Sequence, residues 1–360
     1  MQPFSICIIM KNEEQNIDRC LSSVKNIFPS DFFAELIVVD TGSTDSSVNI
    51  AKKYTNKLYH FEWINDFSAA KNYAISLASN DFVMILDADE AVTDFDEASL
   101  TTFMQSGAGI GQIKRINYVE ENSISSTYID YTERFFNKNL FHFAGAIHEQ
   151  VMPKKPVPGL EYVKLDFTID HFGYLLDEDK RKEKAERNNE LLFKELEKNR
   201  NNSYIYFQIG QSYMLMRDFA NAEKYFSEGL LLQPQTNLEY VQMMVISYGE
   251  CLLNLDKEKE ALKLLDYYDE FSKLADYVFL IGSIYLSNNM PIQAYKEFLI
   301  CLSLKDEHSV GVTSYYPLHN IGVINEMLGS VDSAVDFYKK AAAYGYPRSI
   351  DRLKELGIFI

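Results

Sequence analysis

Three continuous apolar runs constrain this chain more than any other feature. They are Phe4–Met10 (FSICIIM), residues 35–40 (ELIVVD) and residues 81–86 (DFVMIL). A strand that is apolar on successive rather than alternate residues must be buried on both faces, as in a parallel sheet covered by helices. The segments between them fit that expectation. Residues 16–27 place Ile17, Leu21, Val24 and Ile27 at helical spacing, and Pro29 follows as a stop. Residues 46–54 and 67–78 read as further helices, and 58–61 as a short strand. In an open α/β sheet, ligands bind beyond the carboxyl ends of the strands. Here those ends are Lys11-Asn12-Glu13-Glu14, Asp40-Thr41-Gly42-Ser43-Thr44-Asp45 and Asp87-Ala88-Asp89-Glu90, so polar and acidic groups converge on one edge.

Beyond about residue 110 the pattern changes. Residues 112–119, 126–136, 141–143, 146–151 and 162–171 read as strands of mixed character. Residues 177–200 read as a polar helix with an apolar stripe at Leu191, Leu192 and Leu196. From about 203 the chain is helical and repeats. Gly210, Gly249, Gly282 and Gly322 are each followed twelve residues later by Ala222, Ala261, Ala294 and Ala334, and at sixteen by Phe226, Leu265, Phe298 and Tyr338. Small residues let paired helices approach, and large ones fill the groove between them. The first unit, with Tyr206, Ile209, Gly210, Tyr213, Ala222, Phe226 and Pro234, resembles the tetratricopeptide pattern. The expected organisation is an α/β domain at 1–175, a helical linker at 176–202 and helical repeats at 203–360.

Composition narrows the partners. Lys and Arg number 35 against 52 Asp and Glu, a net charge of −17. That argues against nucleic acid or an anionic membrane, which both need a basic footprint. Cys7, Cys20, Cys251 and Cys301 form no CxxC pair, so neither a zinc site nor a disulfide framework is expected. The first residues read as a strand rather than a signal peptide, and no apolar run is long enough to span a bilayer. A reduced, cytoplasmic location is the expectation.

Asp87-Ala88-Asp89 carries the most chemistry. Two carboxylates one residue apart, directly after a buried strand, suit one hard divalent cation, with phosphate oxygens completing its shell. A second such triplet, Asp94-Phe95-Asp96, reads as a helix-capping loop. SICIIMKNEEQNIDRCLSSV, ELIVVDTGSTDSSVNIAKKY and FSAAKNYAISLASNDFVMILDADE together resemble the opening blocks of family 2 glycosyltransferases with the GT-A fold. The later pieces TERFF (132–136), GAIHE (145–149) and HFGY (171–174) are similar to a bacterial branch carrying tetratricopeptide helices. That branch includes sublancin-type peptide S-glycosyltransferases.

The resemblance implies a UDP-sugar donor. Asn12 and Glu13 would line the nucleoside, Asp40 would bond uracil or ribose, and Lys71 would contact the nucleotide, where the family often has Arg. Asp87 would hold ribose or metal-bound water, Asp89 the metal (Mg or Mn), and His171 would complete its shell. Family 2 enzymes invert, so an acceptor-side base is required. Glu149 is the candidate and His148 the runner-up; the structural alternative for Glu149 is a supporting salt bridge with Arg134. The acceptor is expected to be a peptide or protein Cys, Ser or Thr, recruited by the repeats, whose other reading is a homodimer contact. A surface polysaccharide or lipid-linked saccharide is the rival acceptor. The non-catalytic alternative is a repeat scaffold with a degenerate transferase domain.

Overall fold

The computed structural model describes residues 3–28, 33–107, 109–121, 124–174 and 178–358. Pro29 and the expected boundary at 175/176 lie outside the described residues. The chain forms two compact units, residues 1–177 and 178–360.

In the first unit the strands are β1 (Phe4–Met10), β2 (Phe33–Asp40), β3 (Leu58–His60), β4 (Phe82–Asp87), β5 (Glu90–Phe95), β6 (Ile110–Glu121), β7 (Ile124–Asn137), β8 (Phe141–Ala144), β9 (Gln150–Pro153) and β10 (Tyr162–Tyr174). The helices are α1 (Ile17–Ile27), α2 (Ser47–Ala51), α3 (Phe67–Ser76) and α4 (Glu97–Ser106). Their ends have local causes. Asp66 caps α3 by accepting from the Ala69 N–H, and Asp96 caps α4 by accepting from the Ser99 N–H. Gly107 (φ 76°) ends α4 in the left-handed conformation that glycine adopts without a Cβ clash.

The sheet order is β3-β2-β1-β4-β7-β6-β10-β5, with β8 and β9 as a separate ribbon. The three strands read from the apolar runs and the short strand β3 are mutually parallel, as expected. The sheet as a whole is mixed, because β7 joins β4 and β6 antiparallel and β5 joins β10 antiparallel. The two faces carry separate cores. Phe4, Ile6, Ile8, Met84 and Phe135 pack with α1 on one, and Cys7, Ile37, Val83, Ile85 and Phe136 pack with α3 and β8 on the other. Each fully buried aromatic contributes roughly 1.5–3 kcal/mol.

One consequence positions the site. The turn Ala88-Asp89 joins β4 to β5, yet β5 lies four strand spacings away in the sheet order. A flat sheet would need about 19 Å for that step, whereas three Cα–Cα links reach at most about 11 Å. The sheet therefore curls back on itself, and β5 closes toward α1 and β4. The strand β5 itself was not expected. Asp94 and Phe95 belong to it, and only Asp96 of the second acidic triplet serves as a cap.

In the second unit, α5 (Glu178–Lys198) covers the residues read as a linker. It buries Ala185, Leu191 and Leu192, and the Ser212 hydroxyl donates to the Ala185 carbonyl. Helix pairs follow. Gly210 faces the Phe226 ring, Gly282 the Phe298 ring and Gly322 the Tyr338 ring, and the four repeat alanines are fully buried. The second repeat departs from the expected register: Gly249 faces Leu280 and Leu264, not Leu265. Residues Leu262–Tyr267 form a 3-10 helix with about three residues per turn, which brings the groove-filling side chain round one position early. No described helix is long and apolar enough to cross a membrane.

Candidate active site

Strand register sets the site. Met10 of β1 pairs with Asp40 of β2, and Ile9 pairs with Asp87 of β4, so the two aspartates flank the end of β1 one residue out of level. The β1 and β2 loops are tied together. Asn12, whose φ of 56° is in the left-handed region that Asn tolerates, accepts from the Thr44 N–H through its side-chain oxygen (2.8 Å). Its own N–H donates to the Ser43 hydroxyl, and the Glu13 N–H donates to the Ser47 hydroxyl. Asp40 accepts from the Gly42 and Ser43 N–H groups and lies 3.5 Å from the His60 ring. Asn12, Glu13 and Asp40 therefore share one edge, and part of their polarity shapes the loop that would face a nucleoside.

The carboxylates of the Asp87-Ala88-Asp89 turn separate in role. Asp87 is held by Lys71 (2.9 Å) and Arg134 (2.6 Å). Burial alone would push its carboxyl up, but the Arg134 and Lys71 charges outweigh burial and hold it well below the usual carboxylate range. Asp89 instead turns to His171, whose Nε2 lies 3.5 Å from Asp89 Oδ2. Two of the three expected metal ligands thus face each other, and the third is bound to two cations. Among the described residues no group of three or more His, Cys, Asp or Glu side chains that could hold a metal ion is assembled. The reason is electrostatic, since two neighbouring carboxylates removed from water repel unless cations separate them.

Arg134 is 4% exposed and bridges Asp87 to Glu90 (2.7 Å). The alternative pairing of Glu149 with Arg134 does not occur. Register places Phe135 of β7 against Met84 of β4, so Arg134 points along β4 to its end. Glu149 pairs with Lys71 instead, at 2.5 Å. Lys71 is 4% exposed on α3 and joins Asp87 to Glu149. Burial disfavours its charge, but Asp87 and Glu149 more than compensate and raise its pKa. His148 precedes Glu149 with φ 49°, a left-handed backbone costing about 1–2 kcal/mol, and residues 145–149 lie in a loop rather than the expected strand. That loop is fixed to α3 by the Phe67 N–H to Ala146 carbonyl bond.

Four residues of the site received no individual role from the sequence. Glu90 is fully buried, accepts from the Asp87 N–H, and pairs with Arg134 and, at 3.6 Å, with Arg115. Burial raises its pKa despite Arg134. Arg115 also forms a two-point ion pair with Asp130 across the β6–β7 ladder. Asn117, on the same face two residues on, bonds the His171 ring. Gly173 sits beside the Asp89–His171 pair. A signal existed: Ile113, Arg115 and Asn117 share one face of β6, which changes from apolar to polar, and a glycine inside a strand marks a close approach.

Residues 5–152 match the family model for glycosyl transferase family 2, and residues 203–236 match that for a tetratricopeptide repeat. The chain thus carries a GT-A-like family 2 glycosyltransferase domain followed by a tetratricopeptide repeat. It is 29% identical over 242 residues to a TPR repeat-containing protein of Synechococcus elongatus, covering 64% of this chain and 57% of that protein. It is 26% identical over 339 residues to the SPbeta prophage-derived glycosyltransferase SunS of Bacillus subtilis, covering 84% of this chain and 76% of that one. It is 34% identical over 167 residues to an uncharacterized glycosyltransferase of Rickettsia typhi, covering 44% of this chain and 55% of that protein.

Proposed function

We propose that this chain is an inverting, metal-dependent glycosyltransferase that moves a sugar from a UDP-sugar to a peptide or protein acceptor. The observation that carries the reading is the meeting of strand ends. Asn12, Asp40 and Asp87 share one edge, and β10 returns His171 to within 3.5 Å of Asp89. Asn12, Glu13 and Asp40 would receive the nucleoside. Asp89 and His171 suit a Mg or Mn ion, because a carboxylate oxygen and an imidazole nitrogen lie 3.5 Å apart with a glycine against both. When bound, such an ion offsets the charge that develops on the departing diphosphate.

The chain's own side chains account for the rest. Lys71 ties the donor-side Asp87 to the acceptor-side Glu149, and Arg134 supports Asp87 from beneath. The acceptor nucleophile attacks the anomeric carbon opposite the leaving oxygen. Glu149 takes the acceptor proton, the sugar–phosphate C–O bond breaks, and the configuration inverts. His148 is the alternative base. The repeats would recruit the acceptor polypeptide. A cytoplasmic location belongs to the same reading, supported by four cysteines that are all buried and unpaired.

The test is UDP release from UDP-sugars with Mn²⁺ or Mg²⁺, with transfer to candidate peptides read as a mass shift. Asp89→Ala should abolish metal-dependent UDP binding. Glu149→Gln should keep that binding and lose about 10²–10⁴-fold in transfer. Absence of both UDP binding and turnover would leave the scaffold reading, and transfer to saccharides but not peptides would move the acceptor class. Deleting residues 203–360 separates the repeat roles: lost peptide transfer supports recruitment, whereas a dimer that becomes a fully active monomer refutes it.

A further inference from the structure

The pairing of Asp89 with His171 is useful to a cation only if the imidazole presents a lone pair. Three observations bear on that. First, Asn117 Oδ1 lies 2.7 Å from His171 Nδ1. The Asn117 amide nitrogen donates to the Tyr128 carbonyl at 3.4 Å, so the oxygen end faces the ring. An amide oxygen can only accept, and Nδ1 therefore carries the hydrogen. In the neutral ring Nε2 is then the lone-pair nitrogen, and it is the one turned toward Asp89. Its 3.5 Å separation from Asp89 Oδ2 exceeds a direct N–H···O bond and is near the roughly 3 Å edge between adjacent ligands of one octahedral ion.

Second, a Cβ on Gly173 would overlap both Asp89 Oδ2 and His171 Nε2, so only a glycine fits against this pair. Third, the arrangement is built into the sheet. Parallel register pairs His171 of β10 with Asn117 of β6. The ladder slips between His171 and Tyr174, and Phe172 is held there between the Tyr118 ring (5.4 Å) and the Arg19 guanidinium (3.6 Å). Asn117 is fully buried, so bulk water does not stand ready to replace its oxygen.

We propose that Asn117 is a positioning residue. It fixes His171 as the Nδ1–H tautomer, so that Nε2 and the Asp89 carboxylate share one divalent cation beside Gly173. This inference rests on the metal-dependent reading of the preceding subsection. Partners that orient a ligating histidine typically contribute 10–100-fold to metal affinity.

The experiment titrates Mn²⁺ into the full chain with UDP present and reads free Mn²⁺ by electron paramagnetic resonance. Asn117→Leu should weaken Mn²⁺ binding about 10–100-fold. Asn117→Asp, whose carboxylate accepts the same Nδ1–H, should rescue it to within about threefold of the parent. Gly173→Ala should lose more than about tenfold by overlapping this pair. Two-bond ¹H–¹⁵N spectra of the metal-free chain, assigned with His171→Asn, should show the Nδ1–H tautomer. Mn²⁺ binding unchanged in Asn117→Leu, or an Nε2–H tautomer in the parent, overturns the inference while the metal reading stands. A parent chain that binds no Mn²⁺ overturns both. If Asn117→Leu does not fold, the parent tautomer and Gly173→Ala still decide.

Discussion

Replacing Arg134 with Met tests the electrostatic account of the site directly. Arg134 makes two charge-assisted bonds, to Asp87 at 2.6 Å and Glu90 at 2.7 Å, in a place where its own exposure is 4% and that of Glu90 is zero. Removing one partner of a buried ion pair costs about 3–5 kcal/mol, because the other charge is left in a poor medium. Lys71 still serves Asp87, and Arg115 still lies 3.6 Å from Glu90, so the lower end, about 3 kcal/mol, is expected. Adding Glu90→Gln should recover about 1–3 kcal/mol of that loss, since the orphaned charge is then gone. The pH dependence has a definite sign. The carboxyl of Glu90 is raised on folding, and loss of Arg134 raises it further. A group raised on folding stabilises the native state below its unfolded value and loses that contribution as pH rises through its folded value. The gap between Arg134→Met and the parent should therefore be widest near pH 7 and narrow toward pH 5. Urea unfolding followed by fluorescence reads this cleanly, because Trp63 is the only tryptophan and lies in the first unit. A gap below about 1 kcal/mol that is the same at pH 5, or a double variant no more stable than the single, would refute the buried-pair reasoning.

Two further perturbations probe each unit. Glu35, buried at the other end of β2, is held to about 2 by Lys57, Ser5 and Ser79 against the opposing effect of burial. Its contribution of about 2–3 kcal/mol is present above pH ~4.5 and is lost as pH falls toward 2, so acid titration of Glu35→Gln should lack that part of the parent's loss. Gly210→Ala would drive a methyl into the Phe226 ring and should cost the helical unit about 1–3 kcal/mol, with partial recovery in Gly210→Ala/Phe226→Leu; unaltered far-ultraviolet melting would sink the repeat-packing argument.

Much of this protein was legible from local pattern. Period and apolarity located β1, β2 and β4, and the strand-end rule then pointed to Asn12, Asp40, Asp87 and Asp89. The Gly–Ala spacing found the helix pairs, because each glycine answers a side chain one helix away at a short and nearly constant separation. What the sequence could not decide was partnership. Lys71 could meet Glu149 only once β8, β9 and the loop at 145–149 packed on α3. Arg134 chose Asp87 and Glu90 over Glu149 because β7 runs antiparallel beside β4. Asn117 and His171 are 54 residues apart, and only the parallel register of β6 and β10 makes them neighbours. The curl of the sheet, forced by a two-residue turn between strands four places apart, gathered these groups at one mouth. The physical reason is range. Side-chain periodicity reports which face of an element is buried, whereas the partner of a buried charge depends on strand order, direction and register, which are set by the packing of the whole domain.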